Sequence, residues 1–268
     1  MSKKTKYTGD DLTIVICAYK ECEALETCVQ KIIHQSVRSR VLISTSTPND
    51  HIQRIAQKYH IGVRVNPEGG HVKDYNFALA QVETKLGMIA HQDDYLHSRF
   101  VEKSLAGLNR ASDPILSFTD YIEMHDGEVD RHASGLVMIK RMLVWPMRVP
   151  LVRRTSFFKR LGQCLGNPIT HPTVICVMDR LPEEIFREKY QASMDWDLWE
   201  RLSRKKGEFV YIPEVLLAHR MSSDNATAKL LESENKRYPE EYEILSRFWP
   251  PLIAKLIMIP YSKSAKYY

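Results

Sequence analysis

A chain of 268 residues, 44% hydrophobic and 26% charged, has room for a sizeable core in one large domain or two closely packed halves, and its ordinary composition excludes a disordered protein. The net charge of +5 is mild, with cations gathered at the ends (Lys3, Lys4, Lys6; Lys255, Lys263, Lys266) and around residues 148–160; this suits an anionic surface or phosphorylated ligand and argues against duplex nucleic acid. The five cysteines (17, 22, 28, 164 and 176) form no C-x-x-C pair, the N-terminus is polar without a secretory leader, and no window approaches the roughly 20 apolar residues of a membrane span, so a reduced, cytoplasmic protein is expected.

Leu12-Thr13-Ile14-Val15-Ile16-Cys17 reads as a buried strand, and Leu25, Cys28, Val29, Ile32 and Ile33 then share a helical face. A second strand, Val41-Leu42-Ile43, runs into Ser44-Thr45-Ser46. The next helix is expected to open on Thr47 as cap with Pro48 at its first position, and to end near Tyr59. Gly62-Val63-Arg64-Val65 follows as a strand, and the turn Pro67-Glu68-Gly69-Gly70 leads into a helix with Val72, Tyr75, Ala78, Leu79 and Val82 inward. Leu86-Gly87-Met88-Ile89-Ala90 is the fourth strand. This alternation predicts an α/β fold with a doubly wound, mostly parallel sheet flanked by helices. Further on, Ile115 to Phe118 and Val174 to Met178 read as strands around a turn at Asp126-Gly127, and Asp195 to Arg204 as an amphipathic helix. The C-terminal stretch is aromatic and apolar, a helical tail too interrupted to span a bilayer.

Three polar constellations carry chemistry. His91-Gln92-Asp93-Asp94 directly follows the fourth apolar strand, where open α/β sheets bind ligands, and hard carboxylate oxygens there suit Mg²⁺ or Mn²⁺ on a diphosphate. In Met194-Asp195-Trp196-Asp197-Leu198-Trp199, a carboxylate at a helix start beside a large aromatic suits a general base; equally, both acids complement the helix dipole while the tryptophans pack. His219-Arg220, followed by Met221-Ser222-Ser223-Asp224-Asn225-Ala226-Thr227, offers a metal ligand and a phosphate clamp, or an ordinary surface pair.

Together with Val15-Ile16-Cys17-Ala18-Tyr19-Lys20-Glu21 and the helix start from Gly70 to Asn76, these motifs stand in the order seen in family 2 glycosyltransferases of the GT-A fold, which the chain resembles over residues 12–227. The resemblance implies one GT-A-like domain with a nucleotide-sugar half (1–125), an acceptor and catalytic half (126–227) and a C-terminal helical tail (228–268). It implies donor contacts from Ala18, Tyr19, Glu21, Thr45, Lys73, Asn76, His91 and Gln92, with Gly70 at the matching glycine. It makes Asp93 a ligand of a divalent metal (Mn²⁺ or Mg²⁺) and Asp195 the catalytic base; from the residues themselves, His219 is expected as a further metal ligand and His171, Trp196 and Arg220 as acceptor contacts. The chain departs from the pattern in four places: Ser44-Thr45-Ser46 stands where the family has an acid pair, His91 replaces the first acid of D-x-D, Met194 replaces the glutamate before Asp195, and a serine stands near Met221 and Ser222 where a histidine is often found.

The function expected is inverting, metal-dependent transfer of a monosaccharide from a nucleotide-diphosphate sugar, UDP-linked, to a hydroxyl of a cell-envelope glycan precursor or other glycoconjugate. Expected partners are that donor, a glycan or lipid-linked glycan acceptor and, through the tail, an anionic membrane on the inner face of the cell envelope; nucleic acid is not among them. The tail packs as an ordinary helix or lies in the headgroup boundary. Two alternatives are a sugar-nucleotide nucleotidyltransferase, which needs a glycine-rich loop that Ala18-Tyr19-Lys20-Glu21 lacks, and a non-catalytic membrane-peripheral binding protein on the same fold.

Overall fold

In a computed structural model, which describes residues 6–125, 127–221 and 237–264, the apolar runs of the first ninety residues become parallel strands with helices between them. β1 (Leu12–Ala18), α1 (Leu25–Ile33), β2 (Arg40–Thr45), α2 (Asp50–Lys58), β3 (Gly62–Val65), α3 (His71–Ala80) and β4 (Leu86–His91) follow one another. The short β5 (Tyr95–Leu96) and α4 (Phe100–Arg110) complete the first half. Asn49, not Thr47, caps α2: its side-chain oxygen accepts from the Ile52 amide at 2.9 Å, leaving Pro48 before the helix.

The second half adds β6 (Pro114–His125), β7 (Glu128–Val129), α5 (Gly135–Val144), α6 (Ser156–Leu161), β8 (Val174–Val177), α7 (Met194–Ser203), β9 (Glu208–Met221), α8 (Arg237–Leu245) and α9 (Pro251–Ser264). The strand order is β3-β2-β1-β4-β8-β6-β9-β5, with β7 on β6. The first four strands are parallel, β8 runs against both β4 and β6, and β9 is parallel to β6. The expected fold class therefore holds. The 14-residue β9 is an addition: its burial switches partway along, so no single period marks it in the sequence.

Alternation along β1 divides the core between the two faces of the sheet. Leu12, Ile14 and Ile16 pack with residues of α1, α2 and α4, whereas Val15 packs with residues of α3, α7, α8 and α9. Register then sets the site. Cys17 lies opposite Ser44 on one side and His91 on the other, so the carboxyl ends of β1, β2 and β4 finish level.

Charged nodes pin the second half. Glu208, wholly buried at the start of β9, accepts from the Ser112 amide and hydroxyl at 2.8 and 2.7 Å and from Arg153 and Arg154 at 2.7 and 3.1 Å. Burial alone would raise this carboxyl, but Ser112 and Arg153 outweigh it and hold its pKa at about 2. A depressed carboxyl stabilises the fold above its unfolded pKa of about 4.3, and that contribution is lost as pH falls through the folded value. Glu208→Gln is expected to cost about 3 kcal/mol at neutral pH, because Arg153 is left buried without its carboxylate. In urea titrations, the gap between wild type and variant should close between about pH 4.3 and pH 2. A gap independent of pH would show that the carboxylate charge is not what stabilises this node.

One face of α9 packs into the core. Ala254 and Met258 are fully buried, the Trp249 indole donates to the Cys164 carbonyl at 2.6 Å, and Arg160 lies over the Phe248 ring. Leu252 and Leu256 face outward. No helix among the described residues is long and apolar enough to cross a membrane.

Candidate active site

The site forms where β1, β2 and β4 end. Ala18 and Thr45 are almost completely buried beneath it, while Tyr19 and Glu21 are exposed beyond β1. Gln92 joins two of the strand ends: its Oε1 accepts from the Tyr19 amide at 2.9 Å and its Nε2 donates to the Tyr19 carbonyl at 3.1 Å. Both halves of that amide are thus used on main chain. Gln92 shapes the floor of the expected donor pocket more than it offers free polar groups.

α3 is entered through Gly69 and Gly70, at φ +66° and +105°, a backbone region that side chains disfavour. Lys73, in its first turn, pairs with Glu68 at 2.8 Å. Asn76, expected at the donor, is instead used as a bracket: its amide donates to the Phe186 carbonyl at 2.8 Å and its oxygen accepts from the Phe186 amide at 3.0 Å. The acid missing after β2 has a neighbour that the sequence analysis overlooked. The Asp74 carboxylate accepts from the Ser46 hydroxyl at 2.8 Å and from Asn66 at 2.7 Å, placing a negative charge beside Ser44-Thr45-Ser46 from α3. Its signal was the sole acid in the first turn of that helix.

At the end of β4, the pairing of Tyr95 with Ala218 carries β9 alongside and sets His219 against Asp94. His219 Nδ1 lies 2.7 Å from Asp94 Oδ1, the Arg220 amide donates to the same oxygen at 3.0 Å, and His91 Nδ1 stands 3.3 Å from Asp94 Oδ2. Burial would raise Asp94, but His219 and His91 hold it well below the usual carboxylate range; burial would lower His219, but Asp94 raises it. The convergent ligand atoms therefore belong to His91, Asp94 and His219. Asp93, the ligand expected from the resemblance, lies outside that group, its carboxyl raised by burial and by Asp94. His91 Nε2 and Asp94 Oδ2 are buried with no hydrogen-bond partner, and two imidazoles with one carboxylate are a donor set that a borderline divalent cation accepts. These residues fit a metal.

Behind them stands an aromatic wall. Tyr75 stacks on His171 with ring centres 5.1 Å apart and meets His91 edge-on at 6.0 Å, and His171 also contacts Phe186 and Trp199. Burial, then His91, pushes His171 well below the usual imidazole range, so it is neutral. The Tyr75 hydroxyl is raised chiefly by burial, then by Cys17, and then by Asp94, Asp93 and Asp195.

The two acids of α7 have separate fates. Asp197 is fully buried and bound by Arg187, Arg201 and Arg247, so it belongs to a structural charge network continued by Glu200 with Arg160, Arg204 and Arg247. Among the described residues, Asp195 accepts from two neutral donors, Asn167 Nδ2 and the Trp196 amide, each at 2.7 Å, and burial raises its carboxyl. An acid that stays partly exposed, held in one orientation by an amide and made more basic by burial, can accept a proton. Asn167 lies in an irregular loop and had no sequence signal. Trp196, expected at the acceptor, is instead a core residue, 1% exposed. Arg220, half-buried, points Nη2 toward the Tyr95 hydroxyl at 3.4 Å. The residues 222–227 that follow it lie outside the described residues.

The carboxyl edge of this mostly parallel α/β sheet thus gathers His91, Asp94 and His219 in one group and holds Asp195 apart from them, an arrangement suited to group transfer. Residues 13–178 match the family Glycosyl transferase family 2, and the chain belongs to that family; it is a glycosyltransferase. No curated protein matches it in sequence. Among solved structures it is similar to Staphylococcus aureus TarS 1–349 in complex with UDP-GlcNAc, with TM-score 0.65 and 14% identity over 92% of this chain and 70% of that one. It spans 42% of the longer TarS chain, at TM-score 0.62 and 13% identity over 92% of its own length. It is also similar to Mycobacterium tuberculosis glucosyl-3-phosphoglycerate synthase in complex with Mn²⁺, UDP and phosphoglyceric acid, with TM-score 0.57 and 15% identity over 89% of this chain and 78% of that one. At these identities the likeness is one of fold. Family membership sets aside the nucleotidyltransferase and the non-catalytic alternatives.

Proposed function

We propose that the protein transfers a monosaccharide from a UDP-linked sugar to a hydroxyl of a cell-envelope glycan precursor or related glycoconjugate, with inversion at the anomeric carbon. The observation that carries this reading is the convergence of His91, Asp94 and His219 just beyond the end of β4, with Tyr75 and His171 packed against the His91 ring. The fold's likeness to structures holding UDP-GlcNAc, or UDP with Mn²⁺, supports the donor class and the ion.

In this reading residues 1–125 bind the donor and residues 126–227 hold the base and the acceptor. Tyr19 and Glu21 flank the nucleoside, and Asp74 supplies the carboxylate that Ser44-Thr45-Ser46 lacks. His91, Asp94 and His219 would hold Mn²⁺, the one of the two expected cations that takes imidazole nitrogen readily, and it would neutralise charge on the departing diphosphate. Asp195, oriented by Asn167, takes the acceptor's hydroxyl proton. The acceptor oxygen bonds to the anomeric carbon as that carbon's bond to the diphosphate oxygen breaks. His171 and Arg220 border the acceptor side. A lipid-linked glycan acceptor fits the bare outer face of α9, which is read as contacting an anionic membrane.

Calorimetry with UDP, with Mn²⁺ and then with EDTA, tests the donor and metal parts together. UDP affinity is expected to rise at least tenfold with Mn²⁺ and to return on chelation. Equal affinity in both conditions would remove the metal from donor binding.

A further inference from the structure

From residue 131 to 178 the chain contains eight lysines and arginines and no aspartate or glutamate. The same span turns its apolar side chains outward. α5 buries Val137 and Val144, while Met138, Ile139 and Met142 stand 51, 54 and 72% exposed along its opposite face. Trp145 (58%), Leu151 (74%) and Phe157 (67%) are exposed further along the same segment. Isolated exposed apolar residues are ordinary, but six large ones within twenty positions mark a surface that something covers.

The segment is firmly built. Lys140 donates to the Tyr121 hydroxyl at 3.1 Å and Arg141 to the Tyr121 carbonyl at 2.8 Å, and Arg153 is tied to Glu208. The loop after α6 meets α5 so closely that a Cβ on Gly162 would lie 3.2 Å from the Leu143 carbonyl. The carboxylates that pair with its arginines, Asp120, Glu200 and Glu208, are 12, 1 and 0% exposed. Arg153 and Lys159 are buried with them, whereas Arg148 and Arg154 stand exposed beside the apolar side chains, Arg154 sharing Glu208 with Arg153.

We propose that the outer face of residues 138–157 docks on an anionic lipid bilayer. Apolar side chains enter the headgroup boundary, Trp145 sits at the interface, and Arg148 and Arg154 meet lipid phosphates. Charge selects this occupant. Two copies meeting through the same face would set like charges against each other with no carboxylate from residues 131–178 between them, whereas anionic lipid complements both properties. The docked face adjoins the site, because Tyr121, which receives Lys140, lies edge-on to His219 at 6.2 Å. The inference deepens the lipid-linked acceptor reading given above and moves the main membrane contact from the tail to α5 and α6.

Flotation of the full chain with phosphatidylglycerol–phosphatidylcholine vesicles, against phosphatidylcholine alone, tests it. Binding is expected only to the anionic vesicles and to weaken with salt. The double substitution M142E/W145E should lower partitioning about tenfold or more, with melting temperature and UDP affinity unchanged. L252E/L256E on α9 should keep most of the binding. Three results would overturn the proposal: wild-type protein that ignores anionic vesicles at low salt, binding lost in L252E/L256E but kept in M142E/W145E, or a wild-type dimer that M142E/W145E converts to monomer. Failure of UDP binding in wild-type protein would instead overturn the donor reading and leave vesicle binding as a separate result.

Discussion

Asp195→Asn is expected to lower the transfer rate by roughly 10² to 10⁴ while leaving UDP affinity nearly unchanged. The asymmetry follows from the neighbours. Asn167 and the Trp196 amide orient the carboxylate without neutralising it, and among the described residues no arginine pairs with it as three pair with Asp197. An asparagine keeps the shape and the helix start but accepts no proton at neutral pH. The helix-dipole alternative predicts a different result, a small loss of stability with turnover retained. Steady-state kinetics and a melting curve on one preparation distinguish the two. Near-normal turnover in a variant that melts early would assign Asp195 to the helix and leave the base to be found elsewhere.

The second large effect is expected at Asp94. It is fully buried, receives His219 and the Arg220 amide, and shares a convergent group with His91. Asp94→Asn should abolish the Mn²⁺ enhancement of UDP binding, a loss on the order of 10- to 100-fold in metal affinity. It should also destabilise the fold by about 3 kcal/mol, because the buried His219 loses the carboxylate charge it is paired with. His219→Ala should lose the metal effect as well. Asp93→Asn separates the two acids. If the metal effect follows Asp93 and survives in Asp94→Asn, the ligand role returns to the position assigned by resemblance and Asp94 becomes the group that holds His219.

Local sequence carried β1 and β4 because these strands are short, continuous and buried on both faces, and it carried α1 through one apolar stripe. Leu12 to Cys17 and Leu86 to Ala90 are legible for that reason, as is the polar cluster that directly follows β4. β9 was not legible, because its burial comes from two different neighbours along its length, β6 throughout and β5 only near its end.

By itself, the sequence determined the α/β class, the family through its ordered motifs, and the polar segments that meet at one sheet edge, since these depend on period and order along the chain. Only the tertiary structure decided what each polar group does, because hydrogen-bond partners are chosen across the sheet. Asp94 and His219 are 125 positions apart, and Asn76 and Phe186 are 110 apart, so neither pair leaves a local trace. The same reason separates Asp195 from Asp197 two positions later: a helix turns successive residues toward different neighbours, and here one meets an amide and the other three guanidinium groups. Trp196 was drawn into the core and Asp74 brought to the strand ends by packing that no window of sequence contains.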